Sequence, residues 1–474
     1  MEHYIIAYSR YFIACLMAAC TLLSFRRVLS AGRREDSVRQ AGSGWDNLQS
    51  VLIFLIQFAA FLTMCVEKGT VDYLFFYALS QVVLFAAMAL FLMIYPGTDR
   101  LILNNMCLLL GTGFMMLARL DLSRAVKQLV IAALSLGISM AVPFLMEKGA
   151  DMVKRLTWVW LGTGLAVLSA VLILGEVTHG SRLSFGILGI TFQPSEFVKL
   201  IFVFGVAALL WRRASLKELT ICGCAAAAHV LVLVLSRDLG SAVIFYAAFV
   251  FMAFFASGKI RYLLLGGAGG VAASCIAYRL FSHVRIRVQA WKDPWSVIDD
   301  QGFQITQSLF AMSRGGWFGL GIGQGTPKDI PFVETDFIFA AVTEEMGIVF
   351  SVCVILICVS CFLAFIRVAE EERDRFYSLV ASGLGVMYIF QIFLTIGGGT
   401  KFIPLTGVTL PFISYGGSSV MATCLLFAVI QGICLKQKRD RERERRRAGR
   451  RKRAAGRDRT DRREEYEEEY EYDR

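Results

Sequence analysis

The chain has 474 residues, of which 56% are hydrophobic and only 18% are charged. A soluble globular protein carries about a quarter charged residues and lacks apolar runs of ~20 residues, so this composition excludes a soluble protein and indicates a polytopic membrane protein. The net charge of +11 would suggest nucleic-acid binding in a soluble chain, but here the basic residues lie in short loops and one tail, which argues against that function.

Thirteen apolar segments are long enough to span a membrane. The first is not expected to be a cleavable signal peptide, because no small-residue cleavage site follows it and Arg26 and Arg27 close it. All 12 cysteines lie within these segments, which predicts buried thiols rather than disulfides or metal ligands. The predicted spans are residues 8–25, 50–66, 73–95, 101–118, 127–147, 156–175, 196–211, 219–235, 240–257, 261–281, 337–366, 376–396 and 408–435.

Basic residues in the short loops predict the orientation of these spans, because Lys and Arg are retained on the cytoplasmic side. Residues 26–39 contain five arginines, which places this segment inside and the N-terminus outside. Alternation then places four further basic loops and the C-terminal tail inside as well. One loop disagrees, since Arg119, Arg124 and Lys127 would lie outside.

Two segments outside the spans are long and polar. Residues 282–335 form a predicted extracellular loop, and their six Trp and Phe residues near its middle indicate packing on the membrane surface. Residues 436–474 form a charged cytoplasmic tail, which is basic at first and acidic from Glu464 onward. Such a tail either binds anionic lipid head groups or is solvated and disordered, and we expect disorder.

Polar and ionisable residues collect at the outer ends of the spans, where such residues mark functional sites by default. Glu196 and Lys199 are spaced i,i+3, so they pair on one helical face, either lining a cavity or only neutralising each other. Glu344 and Glu345 fall on different faces of one helix, so at least one is predicted to point into the bundle. The four clusters are Gln193-Pro-Ser-Glu196 with Lys199, Arg237-Asp238-Leu-Gly240-Ser241, Glu334-Thr-Asp336 with Glu344-Glu345, and Gly397-Gly-Gly-Thr-Lys401.

Glycines and prolines interrupt the backbone at two further places. Six glycines lie between Gly315 and Gly325, but no strand precedes them and no Lys-Ser/Thr follows, so a nucleotide site is not expected. These glycines indicate either close approach of the backbone to a bulky anionic ligand or tight turns. The stretch from Pro404 to Ser419 breaks the start of the last span, which indicates either a cavity lining or close helix packing.

In this order, these motifs resemble the SEDS family of bacterial shape, elongation, division and sporulation proteins, typified by FtsW, RodA and SpoVE. The resemblance covers residues 100–435 and implies an all-α polytopic membrane protein, with a core of ten spans and its large loop outside. Residues 1–99 then form about three additional N-terminal transmembrane helices. The matching stretches are Phe192-Gln-Pro-Ser-Glu-Phe-Val-Lys199, Asp238-Leu-Gly-Ser-Ala242, Gly302-Phe-Gln-Ile-Thr-Gln-Ser308, Thr335-Asp-Phe-Ile-Phe339 with Glu344-Glu-Met-Gly347, and Pro411-Phe-Ile-Ser-Tyr-Gly-Gly-Ser-Ser419.

The resemblance implies a peptidoglycan glycosyltransferase that polymerises lipid II at the outer face of a bacterial plasma membrane, together with a class B penicillin-binding transpeptidase. It also implies that Asp336 matches the essential loop aspartate of the family, and that Glu196 and Lys199 line a conserved cavity. A lipid II flippase and a non-catalytic scaffold for a penicillin-binding protein are the alternatives. The one-sided polar clusters and the intact Asp336 favour the enzyme.

The implied reaction joins a sugar hydroxyl of one lipid-linked disaccharide to the anomeric carbon of another, with inversion. Asp336 can act as the general base on that hydroxyl or hold a divalent cation, Mg²⁺ or Mn²⁺. The polyprenyl diphosphate leaving group needs positive charge, which basic side chains supply. The candidates are Lys199, Arg285, Arg287, Arg314 and Lys401, with Gln193, Glu196, Ser414 and Tyr415 as further substrate contacts and Asp238, Glu334, Glu344 and Glu345 in support.

The chain departs from the family pattern beside its predicted catalytic residue. A histidine often precedes the Thr-Asp pair of the family, where this chain has Glu334. A second carboxylate so close would raise the pKa of Asp336 or share a cation with it. Lys401 also stands where a small residue is expected.

Overall fold

The computed structural model of the chain describes residues 2–30, 38–178, 181–187, 190–212 and 214–472, so residues 31–37 of the first basic loop lie outside the described residues. Most of the described residues are helical, as the apolar runs predict. The first seven helices are α1 (Glu2–Ser30), α2 (Val38–Lys68), α3 (Asp72–Ile94), α4 (Arg100–Leu120), α5 (Leu122–Ser139), α6 (Ala141–Arg155) and α7 (Thr157–Leu174). The others are α8 (Pro194–Leu210), α9 (Leu216–Leu235), α10 (Leu239–Ser257), α11 (Ile260–Leu280), α12 (Ser282–Lys292), α13 (Phe303–Gly315), α14 (Ile338–Glu371), α15 (Arg375–Gly399) and α16 (Gly417–Tyr472).

Twelve segments of the described chain are long and apolar enough to cross a membrane. The 17-residue helix α8 is the thirteenth, since a span needs roughly 17–25 residues. Each predicted span therefore falls on helix, and the all-α polytopic fold is confirmed. The fifth span is divided into α5 and α6 at Met140, because Pro143 has no N–H with which to bond the carbonyl oxygen of Ser139.

A small antiparallel sheet, which the sequence did not predict, lies between α7 and α8. β1 (Glu176–Thr178) pairs with β2 (Ser181–Ile187), and β2 pairs with β3 (Ile190–Phe192). Strands this short give no periodic hydrophobic signal. The sheet leads the chain directly into Gln193, the residue before α8.

The last span differs from its prediction at both ends. Residues 401–416 are not helical, and α16 begins at Gly417 rather than at residue 408. Pro404 and Pro411 in this segment lack the backbone N–H that a helix needs. At its other end α16 continues to Tyr472, so the described part of the tail is helical. The tail contains no proline and is rich in Arg, Lys, Glu and Ala, which are strong helix formers.

Burial distinguishes central helices from peripheral ones. In α4 100% of the residues in its apolar stretch are buried, and in α15 and α16 the fractions are 78% and 83%. By contrast, α11 has no buried residue. Helix α1 packs on α2 and α14, and α2 packs on α4, so the additional N-terminal helices are joined to the core.

Contacts between loops show which segments share an end of the bundle. Arg10 in α1 donates from Nη1 to the carbonyl oxygen of Gly319 at 2.9 Å, so the start of the chain and residues 282–335 share one end. At the opposite end Lys154 bonds Asp374 at 2.5 Å, which joins two of the predicted cytoplasmic loops. The relative arrangement of these segments agrees with the predicted alternation.

Candidate active site

Asp336 lies in the turn that leads from the long loop into α14. Its backbone N–H donates to the carbonyl oxygen of Phe332 at 3.2 Å, and the helix begins at Ile338. Phe332 has a φ of 58°, in the left-handed region, which reverses the chain. Phe337 and Ile338 are buried, whereas Asp336 is half-buried. Apolar neighbours thus anchor the turn and leave the carboxylate partly accessible at the start of α14.

Arg287 in α12 links Asp336 to a second carboxylate. Its Nη1 donates to the carbonyl oxygens of Leu405 and Thr406 at 3.2 and 3.1 Å. Burial lowers the pKa of Arg287, while the negative charges of Asp336 and Asp238 oppose that shift. The guanidinium therefore lies within electrostatic reach of both carboxylates, and it remains charged.

His283, in the first turn of α12, adds to this basic side of the site, and the sequence did not single it out. Burial lowers the pKa of His283, and the charges of Arg237 and Arg287 lower it further. Its Nε2 is buried without a hydrogen-bond partner. The one signal in the sequence is its position shortly before Arg285 and Arg287, which gives no indication that Arg237 lies near.

The broken start of the last span holds the Asp336 turn in place. The hydroxyl of Ser414 donates to the carbonyl oxygen of Thr335 at 2.5 Å, and the N–H of Tyr415 donates to the carbonyl oxygen of Glu334 at 2.7 Å. These two bonds fix the backbone immediately before Asp336. Ser414 and Tyr415, predicted to contact substrate, therefore also position the candidate catalytic residue.

Glu334 has a cationic partner of its own. It forms an ion pair with Arg124, which also bonds Asp121 at 3.4 Å. The same guanidinium lies 5.9 Å from the centre of the Tyr415 ring. The second carboxylate near Asp336 is thus already neutralised by α5.

A polar chain connects α8 to the start of α10. Nε2 of Gln193 donates to Oγ of Ser195 at 3.2 Å, and this hydroxyl donates to Oδ2 of Asp238 at 3.3 Å. Oδ1 of Asp238 accepts the N–H of Ser241 at 3.0 Å and caps α10. The backbone N–H of Gln193 donates to Oγ of Ser418 at 2.9 Å, which ties the same chain to α16.

Glu196 and Lys199 form the predicted pair inside the bundle. Lys199 Nζ lies 2.8 Å from Oε2 of Glu196, and both residues are 5% exposed. The ammonium also donates to Oε1 of Gln391 at 2.7 Å, and Nε2 of Gln391 donates to the carbonyl oxygen of Thr409 at 3.0 Å. The sequence missed Gln391 because nothing in it shows that α15 packs on α8. A cavity beside the pair is also lined by Tyr388, Pro411 and Thr423.

Glu344 and Glu345 form a second acidic cluster within α14. Both are 0% exposed. Arg314 bonds Oε1 of Glu344 at 2.9 Å, and Arg119 bonds Oε1 of Glu345 at 2.9 Å. The structure therefore places Arg314, a predicted substrate contact, in an ion pair with a buried acid.

The loop 316–325 is bonded to an opened turn of α14 beside these two glutamates. Gly347 has φ 82° and ψ 172°, which interrupts the helix. Leu320 and Gly321 donate their N–H groups to the carbonyl oxygens of the two glutamates at 2.9 and 3.0 Å. The two carboxylates accept further N–H groups of the loop region at 3.2 Å. A Cβ at Gly319 would lie 2.1 Å from a glutamate carbonyl oxygen, so here the glycines allow the loop to approach α14 closely.

The basic loop that disagreed with the predicted orientation is explained by these acids. Arg119 pairs with Glu345, and Arg124 pairs with Glu334, while Lys127 is exposed. Two of the three positive charges are therefore neutralised by acids at the same end of the bundle.

The two remaining candidate cations are less closely engaged. Arg285 is exposed on α12. Lys401 is half-buried with a φ of 60°, and its carbonyl oxygen accepts the Nε1–H of Trp291 at 3.1 Å. Within the described residues, no group of three or more His, Cys, Asp or Glu side chains is placed to hold a metal ion. Mg²⁺ is commonly bound by one or two carboxylates together with water and substrate phosphates.

Sequence comparisons place most of the chain among known proteins. The model of the FtsW, RodA and SpoVE family, described as "Cell cycle protein", matches residues 101–439. The chain is 32% identical over 416 residues to peptidoglycan glycosyltransferase RodA of Mycobacterium leprae, across 80% of this chain and 89% of that protein. It is 35% identical over 287 residues to Stage V sporulation protein E of Bacillus subtilis, across 58% of this chain and 76% of that protein.

Solved structures share the fold. A chain from a structural study of a peptidoglycan synthase complex, concerned with the coordination of polymerization and crosslinking, aligns with a TM-score of 0.63 and 24% identity, over 72% of this chain and 98% of that one. The crystal structure of Thermus thermophilus rod shape determining protein RodA aligns with a TM-score of 0.55 and 23% identity, over 71% and 96% of the two chains.

Proposed function

The chain belongs to the FtsW, RodA and SpoVE family of cell cycle proteins, and we propose that this multi-pass membrane protein is a peptidoglycan glycosyltransferase that polymerises lipid II at the outer face of the plasma membrane. Family membership gives the reaction class. The location of the active site is supported by one observation above all: Asp336 is half-buried and lies within electrostatic reach of the cation Arg287. A carboxylate and a cation at the end of a membrane bundle suit a substrate whose sugars lie in water and whose chain stays in the bilayer.

Asp336 is the general base in this proposal. It accepts the proton of a sugar hydroxyl on the acceptor, and the hydroxyl oxygen forms a bond to the anomeric carbon of the donor. The bond from that carbon to the diphosphate oxygen breaks, and its electron pair leaves with the polyprenyl diphosphate. Attack opposite the leaving group inverts the anomeric carbon. The bonds from Ser414 and Tyr415 support this role because they fix the turn before substrate binds.

Arg287 supplies positive charge to the leaving group, with Arg237 and His283 beside it. A diphosphate leaves without needing a proton if its charge is stabilised, and guanidinium groups match phosphate oxygens well. The bonds from Arg287 to the carbonyl oxygens of Leu405 and Thr406 hold its guanidinium in advance. Such preorganisation is what stabilises charge that develops during a reaction.

A divalent cation, Mg²⁺ or Mn²⁺, is a proposed cofactor of the same site. Asp336 would hold it, together with phosphate oxygens of the substrate. When bound, such a cation neutralises charge on the departing diphosphate.

The cavity beside Glu196 and Lys199 is the proposed path of the substrate's polar part into the bundle. Gln193 lies at its outer side, at the start of the same helix. Because Lys and Arg are retained inside the cell, the end that carries Lys154 is the proposed cytoplasmic end. The N-terminus and Asp336 are then outside, and the tail is in the cytoplasm.

A class B penicillin-binding transpeptidase is the proposed partner. Polymerised glycan is what a crosslinking enzyme consumes, so the two reactions are coupled through their product and substrate. The fold shared with a chain from a peptidoglycan synthase complex supports this pairing.

A glycan-polymerisation assay tests the proposal. Purified protein, alone and with its candidate transpeptidase, is given fluorescent lipid II and a divalent cation, and the wild type is compared with Asp336→Ala. Polymer from the wild type and none from the variant is the expected result. Equal polymer from both would remove Asp336 from the mechanism. No polymer from either, with lipid II crossing vesicle membranes, would support a flippase instead.

A further inference from the structure

The helices that precede the family core contact the long outer loop. The last of these three helices, α3, ends at Ile94, and the match to the family model begins at residue 101. Helix α1 nevertheless packs on α14, the helix that follows Asp336. The additional helices therefore lie against the part of the protein that carries the candidate active site.

Arg10 and Tyr11 make the contact from α1. Nη1 of Arg10 donates to the carbonyl oxygen of Gly319 at 2.9 Å, and Nη2 donates to the hydroxyl of Tyr11 at 3.0 Å. The ring of Tyr11 lies 5.0 Å from the ring of Phe318, measured between centroids. A hydrogen bond from a charged donor and an aromatic contact thus meet the loop at adjacent residues.

Glu67 makes the contact from the end of α2. Its side chain is 13% exposed and forms an ion pair with Lys68 at 3.0 Å. A Cβ added at Gly323 would lie 2.5 Å from Cδ of Glu67, so this carboxylate lies directly against the loop backbone. Oε2 of Glu67 is buried without a hydrogen-bond partner, which is an unfavourable arrangement for stability alone.

The other side of the same loop is fixed to α14. The N–H of Gly323 donates to Oε2 of Glu345 at 3.2 Å, and its carbonyl oxygen accepts from Nη2 of Arg119 at 3.2 Å. From this loop the chain runs to Asp336 through Ile330 and Val333, which are both buried. The loop and the turn that carries Asp336 therefore share one support, because the loop contacts the opened turn of α14 and Asp336 lies immediately before that helix.

We propose that α1 and α2 brace the active site, with Arg10 and Glu67 as positioning residues that hold residues 316–325 against the opened turn of α14. The brace acts on the geometry of Asp336 and not on substrate affinity. This inference rests on the proposed glycosyltransferase function for its kinetic consequence, while its structural consequence is independent of that function.

The test compares Arg10→Ala with Arg26→Ala in the full chain. Arg26 is the matched control, because it lies on the same helix, carries the same charge and stacks on Trp45 at 4.2 Å, away from the loop. Hydrogen–deuterium exchange of residues 316–326 is measured, together with kcat and KM for fluorescent lipid II. For Arg10→Ala we expect faster exchange in this segment and a kcat about tenfold lower, with KM unchanged. Arg26→Ala keeps the wild-type exchange and kcat, and Arg10→Lys recovers most of the lost kcat.

Wild-type exchange of the loop in Arg10→Ala would overturn the proposal, as would the same loss of kcat in Arg26→Ala. A rise in KM with kcat unchanged would also overturn it, because it would show a role in binding. Failure of the proposed function gives a separate result, because the wild type then forms no polymer. The difference in loop exchange between Arg10→Ala and Arg26→Ala can still be measured and still tests the brace.

Discussion

Asp336 and the pair Glu344 and Glu345 lie on one segment of the chain, but they meet opposite surroundings. The two glutamates are fully buried, and each has its own arginine and accepts a backbone N–H of the loop region. Asp336 is half-buried at the start of the helix, and the cation within its reach also faces Asp238. A buried acid that is paired with its own arginine holds structure together, whereas a partly accessible acid near a shared cation is the better candidate for chemistry.

Asp336→Asn tests the chemical side of this comparison and has the largest expected effect. The amide cannot accept a proton, so we expect polymer formation to fall by ~10²–10⁴-fold. Thermal unfolding should change little, because the side chain is only half-buried and Asn has nearly the same shape. Glu334→Gln is the matched control two residues earlier, and we expect it to keep most of its activity. A large loss of activity in Glu334→Gln, with none in Asp336→Asn, would show that Glu334 and not Asp336 is the base.

Arg287→Ala tests the cation of the same site. Loss of preorganised positive charge should lower kcat by about 10²-fold. Arg287→Lys keeps the charge but not the planar fork, so we expect partial activity. Arg285→Ala, on the same helix and exposed, provides the comparison in a polymerisation assay. Equal losses in both alanine variants would show that general positive charge matters and that the placement of Arg287 does not.

Glu345→Ala tests the structural side. It leaves the charge of Arg119 without its buried partner, which should lower the free energy of unfolding by about 3 kcal/mol. The measurement is thermal unfolding in detergent. Replacing both partners with methionine should recover much of the stability, because no unpaired charge remains. Wild-type stability of the single variant would contradict the structural role of this pair.

His283 gives the basic side of the active site a pH dependence, and replacing it should change KM only a few-fold. The pKa of His283 is lowered, so its ring is neutral near pH ~7. Because the folded state disfavours the charged ring, the free energy of unfolding falls as the pH drops below the ordinary histidine pKa of ~6.5. Above that pH the full stability is present. A bound diphosphate would offset the repulsion from Arg237 and Arg287 and favour the protonated ring. We therefore expect KM for lipid II to fall a few-fold between pH ~7.5 and ~5.5. The same dependence in His283→Gln would exclude this residue as its source.

The spans were predictable because a long apolar run is itself the signal of a membrane span, and each of the thirteen contains a helix, although the first residues of the last span are not helical. The pairing of Glu196 with Lys199 was also predictable, since i,i+3 spacing on a helix needs no tertiary information. The partners of Glu345 and Glu334 were not, because Arg119 and Arg124 lie more than two hundred residues away in sequence. Long-range packing of this kind leaves no local pattern.

The kink at Gly347 shows a second limit of the sequence. Helical spacing predicted that Glu344 and Glu345 would point to different faces, but it could not predict that the opened turn brings residues 316–325 to both. The short sheet before α8 was not predicted for a similar reason. Its strands of three to seven residues are held by pairing with each other and show no periodic hydrophobic pattern.

Whether Asp336 or the buried pair does the chemistry is measured as polymer formed per folded molecule by Asp336→Asn and Glu344→Gln, prepared in parallel and corrected for the folded fraction. We predict at least a ~10²-fold loss of polymer from Asp336→Asn at wild-type folded yield, and near wild-type polymer per folded molecule from Glu344→Gln at reduced yield. Normal polymer from Asp336→Asn, with loss in a fully folded Glu344→Gln, would move the chemistry to the buried cluster and contradict the account.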